Sequence, residues 1–341
     1  MVFKIAGKEI GFREKVFEEL EISFLSPDIK LSIPYVIITG KEPGPILYVG
    51  AGSHGDELTS ILVASRLARE LNVDDLKKGA IIIVPIHNPL AVLGKRRWSF
   101  IDNLDMNRVW PGDIEGNISE VIAYKLFNEL VLYSDYLLDL HTAACDGENA
   151  PHALLPPPNT FKPRKERPYS AHRDKSLELA KYFGTPFITV SKIKSEHERK
   201  YYNYVFGELH VAATMKGIPG IVVELGEGGR ISQKNVELGM NGVINVAKYL
   251  GIIHGNASPK ENQILISETQ VIRAPRGGIV VPKVEAGDKV NKDQIIAVLE
   301  TYKDFIEIKS PIDGYVMRIR KYSIVEPGER IAVLGLPGKQ L

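Results

Sequence analysis

Short apolar runs alternate with amphipathic segments up to about residue 255. The β-branched runs predict strands, and the segments whose apolar residues recur every three to four positions predict helices. Strands are expected at Ile46–Ala51, Ala80–Ile86, Tyr136–His141, Pro186–Val190 and Gly220–Glu224. Helices are expected at Asp56–Leu71, Ser119–Tyr133, Lys175–Phe183, Glu208–Lys216 and Gln233–Leu250. This alternation predicts an α/β domain with a parallel or mixed sheet and flanking helices.

The pattern changes after about residue 262, where short alternating runs broken by Gly and Pro replace the helical periodicity. This segment contains an internal repeat: "APRGGIVV" from Ala274 matches "SPIDGYVM" from Ser310, "VEAGDKV" matches "VEPGERI", and both halves end on "IAVL". Repeated β units of this size predict a small all-β sandwich or barrel. The polar stretch 255–265 separates the two patterns, so we predict domains at 1–258 and 259–341.

Composition and charge narrow the class of protein. The 341 residues include 43 Lys plus Arg and 42 Asp plus Glu. This balance gives no electrostatic argument for nucleic acid or a membrane as a partner. The single cysteine excludes an internal disulfide. The apolar runs are shorter than the ~20 residues that span a bilayer, and the N-terminus has no signal-peptide pattern. We expect a cytoplasmic protein, and a homo-oligomer remains open.

Residues capable of metal chemistry follow two of the predicted strands. In "GSHGDE", His54 and Glu57 lie three residues apart across the start of a helix, so their side chains can converge. His141 ends a later strand, in "DLHTA". Two histidines and one glutamate leave one position of a zinc ion open, which is typical of catalytic rather than structural zinc. The alternative interpretation is that the acidic residues only favour the helix N-terminus.

An irregular stretch, Asn88–Gly112, carries the remaining candidate polar residues. Long irregular segments inside compact domains are often functional. Its arginines Arg97 and Arg108 have the planar guanidinium that suits carboxylates and other oxyanions. Asp105 and Asn107 are interleaved with them. This mixture predicts a hydrogen-bonded network rather than a solvated basic surface.

Four motifs, "GSHGDE", "NPLAV…RRW…DNLDMNRVWPG", "DLHTA" and "VVELGEGG", occur in an order and spacing that resemble the succinylglutamate desuccinylase/aspartoacylase family. The resemblance covers most of residues 40–250. That family is a deacylase branch of the zinc carboxypeptidase clan. The resemblance therefore implies a carboxypeptidase-like mixed sheet and zinc-dependent hydrolysis of the amide bond of an N-acyl amino acid or a related small N-acylated metabolite.

The resemblance also assigns roles to single residues. The family's metal ligands correspond to His54, Glu57 and His141, which would hold one Zn²⁺ per chain. The general base of the family corresponds to Glu224, in "VVELGEGG". Such a base takes a proton from the attacking water and passes it to the leaving amine.

The substrate-binding residues follow from the same resemblance. Asn107 and Arg108 match the family's pair that holds the substrate carboxylate, and Arg97 matches the arginine that polarises the scissile carbonyl. The spacing from Arg97 to Asn107 is longer than in aspartoacylase, so Arg96 remains an alternative. Related peptidases place a phenol over the substrate, and the candidates for it are Tyr201, Tyr202, Tyr204, Tyr302 and Tyr322.

The C-terminal segment is similar to a biotinyl/lipoyl domain. "VLETYKDFIEIKSPIDG", from Val298, resembles its lysine hairpin, with Lys303 at the position of the modified lysine. However, Tyr302 and Asp304 depart from the usual pattern around that lysine, and amide hydrolysis needs no swinging carrier. We therefore expect Lys303 to be unmodified and this domain to narrow access to the zinc pocket.

Two other functions are compatible with the same residues. A zinc carboxypeptidase that trims peptides would use all of them. A non-catalytic small-molecule-binding homologue would keep the pocket, but it would have no use for a general base at Glu224.

Overall fold

The computed structural model describes residues 2–157, 175–191 and 207–338. The strands are β1 (Phe3–Ile5), β2 (Lys8–Ile10), β3 (Lys15–Leu25), β4 (Ile29–Thr39), β5 (Ile46–Gly50), β6 (Ala80–Val84), β7 (Tyr136–His141), β8 (Gly147–Asn149), β9 (His152–Leu155), β10 (Phe187–Val190), β11 (Gly220–Glu224), β12 (Ile264–Arg273), β13 (Gly278–Pro282), β14 (Lys289–Val290), β15 (Ile295–Glu300), β16 (Phe305–Lys309), β17 (Gly314–Arg320), β18 (Ser323–Val325) and β19 (Arg330–Pro337). The α-helices are α1 (Leu58–Glu70), α2 (Pro89–Gly94), α3 (Ile118–Glu129), α4 (Lys175–Phe183), α5 (Leu209–Met215) and α6 (Gln233–Tyr249). Short 3-10 helices cover Met106–Arg108 and Val131–Tyr133.

Among the described residues, thirteen strands form one mixed sheet, in the order β14-β17-β19-β12-β10-β9-β11-β7-β5-β6-β4-β3, with β8 paired to β17. The strands β5, β7 and β11 are parallel neighbours, so their carboxyl ends meet at one edge. One apolar core lies between the sheet and α1, α4 and α6, and another lies on the face that carries α3 and α5. Sites in α/β folds form beyond the carboxyl ends of strands.

The predicted α/β class is confirmed, and the helix ends follow their local signals. Asn117 caps α3 in a capping box, and the Ser232 side chain accepts a hydrogen bond at the start of α6. Gly184, Gly217 and Gly251 follow helices with φ values of 84°, 78° and 69°, a conformation that favours glycine.

The long N-terminal hairpin of β3 and β4 did not follow from the sequence pattern. Its strands are antiparallel, and their register shifts between Glu21 and Ser23. An irregularity of this kind interrupts the alternation of inward and outward side chains. The sequence KVFEELEISFL therefore lacks the clean period of two by which a strand is recognised.

The all-β prediction for the C-terminal segment is also confirmed. Here a four-stranded sheet, in the order β16-β15-β13-β18, encloses an apolar core with the end of the large sheet. We call residues 264–337, strands β12 to β19, the β-domain. The strand β12 first pairs in parallel with β10 and then runs antiparallel to β19. The boundary at 258/259 stays a prediction. None of the described helices is long and apolar enough to cross a membrane.

Candidate active site

The three predicted metal ligands meet beyond the carboxyl ends of β5 and β7. His54 and Glu57 lie in the turn between β5 and α1, and His141 is the last residue of β7. Glu57 lies between the two rings: its Oε1 is 2.5 Å from His54 Nδ1, and its Oε2 is 2.8 Å from His141 Nδ1. All three residues are buried, and one ligand atom from each lies within 4.8 Å of the others. A single cation fits such a cluster.

A second carboxylate lies behind each histidine ring. His54 Nε2 is 2.9 Å from Asp105 Oδ1, and His141 Nε2 is 3.0 Å from Asp139 Oδ2. Histidines that bind a metal usually donate their other ring N–H to a carboxylate in this way, which fixes the tautomer and the ring orientation. Two imidazole nitrogens and one carboxylate are also a donor set that Zn²⁺ accepts. The residues present therefore fit a zinc ion.

The charges in this cluster favour a cation. Burial alone would raise the pKa of Glu57, but the adjacent His54 and His141 hold it well below its usual range, so the carboxylate is charged. Burial alone would lower the pKa of His141, but Asp139 and Glu57 raise it well above its ordinary value, so this ring carries a positive charge between the two carboxylates. A bound divalent cation would supply that positive charge in its place, because buried carboxylates are costly unless they are paired.

The structure brings Arg97, rather than Arg96, into the cluster. Arg97 Nε donates to Asp105 Oδ2 at 2.9 Å, and its Nη1 lies 3.9 Å from Glu57 Oε1. Arg96 is exposed. Burial alone would lower the pKa of Arg97, but Asp105 and Glu57 raise it, so the guanidinium keeps its charge. The predicted hydrogen-bonded network of the irregular stretch is confirmed.

Asn107 and Arg108 lie in the 3-10 helix Met106–Arg108, beside the cluster of His54, Glu57 and His141. Asn107 Nδ2 is 3.4 Å from His141 Nε2, and its Oδ1 accepts a hydrogen bond from Leu209 N at 3.1 Å. Arg108 Nη1 donates to the Asn107 carbonyl at 2.6 Å and lies 3.7 Å from Glu208 Oε1. Asn107 is therefore next to the predicted ligand His141, and both residues contact the chain at the start of α5.

The predicted base, Glu224, ends β11 directly beside His141. The parallel register pairs Glu224 with His141, so both side chains leave the sheet on the same face. Asn149 Nδ2 donates to Glu224 Oε2 at 2.8 Å. The register of two central strands thus places the predicted base next to a predicted metal ligand.

The β-domain contributes no tyrosine to this cluster in the part of the chain that is described. Tyr302 and Tyr322 are 92% and 72% exposed. The other candidates, Tyr201, Tyr202 and Tyr204, lie outside the described residues. Lys303 lies in the turn between β15 and β16, in agreement with the predicted lysine hairpin. Its unmodified state stays a prediction.

Three residues of the site were missed by the sequence analysis. Asp139 could have been found, because it is an acid in a wholly buried strand, two positions before His141 and hence on the same face. Asn149 and Glu208 could not, since only tertiary contacts bring them to Glu224 and Arg108.

The mixed sheet and the His–Glu–His cluster at its carboxyl edge define an α/β protein with a candidate metal site. Residues 43–250 match the family profile described as succinylglutamate desuccinylase/aspartoacylase catalytic domain, and residues 269–334 match the profile described as biotin-requiring enzyme. The chain therefore belongs to the succinylglutamate desuccinylase/aspartoacylase family, as its motifs predicted.

Similar proteins match this chain over nearly its whole length. The N-alpha-acetyl-L-2,4-diaminobutyric acid deacetylase of Halomonas elongata is 28% identical over 311 residues, which are 89% of this chain and 85% of the relative. A succinylglutamate desuccinylase/aspartoacylase structure from Rhodobacter sphaeroides has a TM-score of 0.78 at 24% identity and covers 96% of both chains. The product-bound ectoine utilization protein EutE (DoeB) of Ruegeria pomeroyi has a TM-score of 0.79 at 21% identity and covers 95% of both chains. The two structures show that the fold is shared.

Proposed function

We propose that the protein is a zinc-dependent deacylase that hydrolyses the amide bond of an N-acyl amino acid or a related small N-acylated metabolite. The observation that carries the proposal is the buried cluster of His54, Glu57 and His141, in which a carboxylate holds the far side of each histidine ring. Membership of a deacylase family supports it, as does a relative named as the deacetylase of an acetylated amino acid.

Each residue around the cluster has a separate role in the proposed reaction. His54, Glu57 and His141 would hold a zinc ion, which would supply a Lewis acid for the amide carbonyl and for a water molecule whose pKa such an ion lowers to ~7. Glu224 accepts the proton of the attacking water and delivers it to the leaving amine nitrogen. Arg97 stabilises the negative charge that develops on the carbonyl oxygen.

Asn107 and Arg108 hold the carboxylate of the substrate's amine half. Leu209 N already donates to Asn107 Oδ1, so the amide nitrogen is the group that Asn107 offers to a substrate. The guanidinium of Arg108 adds a charged, planar donor set that matches a carboxylate. Fixing this end of the substrate orients the scissile amide for attack.

Zinc content and turnover test the metal and the base separately. We expect one zinc per chain by elemental analysis, and loss of zinc in His141→Ala. Glu224→Gln should keep its zinc and lose at least a hundredfold in kcat, because general-base catalysis contributes ~10²–10⁴. The exposed His254 provides a matched control, and His254→Ala should behave as wild type. Undiminished zinc in the first variant, or undiminished turnover in the second, would contradict the proposal.

A substrate panel tests the reaction class. Release of acetate or succinate from N-acetyl and N-succinyl amino acids, including Nα-acetyl-L-2,4-diaminobutyrate, should far exceed cleavage of peptides. Cleavage of peptides alone would identify a carboxypeptidase instead.

A further inference from the structure

One carboxylate beside the proposed substrate site is outside the metal cluster. Glu208 directly precedes α5, and its side chain is only 15% exposed. Its Oε1 lies 3.7 Å from Arg108 Nη1, which is beyond direct hydrogen-bond distance. Its Oε2 is buried and has no hydrogen-bond partner among the described residues. Glu208 Oε2 can therefore accept a hydrogen bond, and no described residue donates one to it.

Backbone contacts hold Glu208 beside the substrate-binding pair. Trp110 N donates to the Gly207 carbonyl at 3.1 Å, and Leu209 N donates to Asn107 Oδ1 at 3.1 Å. A Cβ at Gly207 would lie 1.9 Å from the Arg108 carbonyl oxygen, so only glycine permits this close approach. The position of Glu208 relative to Asn107 and Arg108 is thus set by the chain on both sides of it.

The surroundings of Glu208 favour an additional positive charge. His210 Nδ1 is 3.8 Å from Glu208 Oε2, but burial lowers the pKa of His210 to about 4, so that ring is neutral. Burial raises the pKa of Glu208 to about 7, although Arg108 opposes the rise. A buried carboxylate is costly unless a cation or hydrogen-bond donors compensate it.

We propose that Glu208 determines specificity by binding an ammonium group on the side chain of the substrate's amine half, so that short N-acyl diamino acids are the preferred substrates. This inference rests on the proposed function, in which Arg108 holds the substrate carboxylate. In a short diamino acid the side-chain ammonium is only a few bonds from that carboxylate. Glu208 and Arg108 are correspondingly close to each other in the protein. The same carboxylate repels substrates with acidic side chains.

An isosteric substrate pair tests this assignment. Nα-acetyl-L-2,4-diaminobutyrate and Nα-acetyl-L-norvaline have side chains of the same length, and only the first is cationic. For wild type we expect kcat/KM to be at least about tenfold higher for the cationic substrate, since hydrogen bonds to charged groups have this magnitude. In Glu208→Gln the ratio should fall towards one, mainly because KM rises for the cationic substrate.

Controls separate this role from a structural one. The exposed Glu237 on α6 is a matched glutamate, and Glu237→Gln should keep the wild-type ratio. Glu208→Asp, which keeps the charge, should retain part of the preference. Equal losses for both substrates in Glu208→Gln would show that Glu208 only positions Arg108, and this would overturn the inference. A wild-type ratio near one would also overturn it and leave the deacylase proposal intact, whereas no hydrolysis of any N-acyl amino acid would refute that proposal itself.

Discussion

The carboxylate behind each histidine determines which ring nitrogen faces the cluster. Because Asp139 accepts from His141 Nε2, the Nδ1 lone pair is left for a cation. Asp139 Oδ1 has no hydrogen-bond partner among the described residues and lies 4.0 Å from His87 Nδ1. Burial lowers the pKa of His87 to about 4, and its ring bonds to Tyr48 and Ser53. The negative charge of Asp139 therefore interacts mainly with the ring of His141.

This arrangement predicts a metal-binding defect in Asp139→Asn. The change removes the negative charge but nearly keeps the shape, so we expect zinc affinity to fall by ~10–100-fold, as is usual for such outer carboxylates. Competition with a zinc chelator measures it. Asp28, an exposed aspartate in the turn between β3 and β4, is the control, and Asp28→Asn should bind zinc as wild type does. Equal affinities in all three proteins would contradict this role of Asp139.

The sequence identified some residues of the candidate site and left the choice between others open. His54, Glu57 and His141 could be named because reactive side chains at strand ends meet when the strands are parallel neighbours. Arg97 and Arg96 could not be separated, because their positions in an irregular stretch carry no period that says which one points inward. Only the fold shows Arg97 bonded to Asp105 and Arg96 exposed.

The short strand β8 connects the proposed base to the β-domain. In the described structure β8 pairs with β17, and Asn149 stands opposite Arg318. Arg318 and Arg320 both form ion pairs with Asp146, which directly precedes β8. Asn149 in turn donates to Glu224 Oε2. The β-domain therefore supports the segment that orients Glu224.

We expect Asn149→Ala to impair catalysis rather than metal binding. A hydrogen bond to a charged group contributes ~1.5–3 kcal/mol, and each ~1.4 kcal/mol of barrier is tenfold in rate. The variant should therefore lose roughly 10–100-fold in kcat with zinc content and KM nearly unchanged. Asn128, whose side chain bonds to the Tyr124 carbonyl within α3, is the control. Wild-type kcat in Asn149→Ala, or loss of its zinc, would refute this role.

The elements with a clear period were predicted closely, and the irregular ones were not. The strands β7 and β11 and the helix α4 agree with their predicted ranges at both ends. In contrast, β8 has three residues, fewer than any period can reveal, and its pairing partner is about 170 residues away in sequence. The elements that link the two domains are thus the ones that periodicity cannot identify.

The two parts of the chain share a continuous sheet rather than a flexible connection. The strand β12 pairs with β10 at Phe187 and Ile264, and the same strand continues into the β-domain. Phe187, Ala150, Ile266 and Met317 form an apolar cluster at this junction. Beside it, Lys321 forms an ion pair with Glu148. The polar stretch 255–265 marks a change of pattern, but the strand that follows it belongs to both parts.

Removal of residues 259–341 should therefore damage the remaining chain. It would leave β10 as an unpaired edge, uncover the side chains of Phe187 and Ala150, and remove the ion-pair partners of Asp146 and Glu148. Exposed apolar strand edges promote aggregation, and burial of a side chain as large as that of Phe187 contributes ~1.5–3 kcal/mol.

We expect the shortened chain, residues 1–258, to be largely insoluble or to unfold at a clearly lower temperature. It should also lose deacylase activity, because Asn149 loses the support of β17. Soluble yield, thermal unfolding and kcat/KM measure these effects. Full-length Lys303→Ala is the control, because it alters the β-domain only at an exposed turn between β15 and β16, outside the strands β12 and β17 that pair with the rest of the chain. A folded shortened chain with the melting temperature and kcat/KM of the full-length protein would mean that the β-domain is dispensable. If the shortened chain also kept the full-length preference for small substrates over peptides, the narrowing of the pocket predicted for this domain would be wrong.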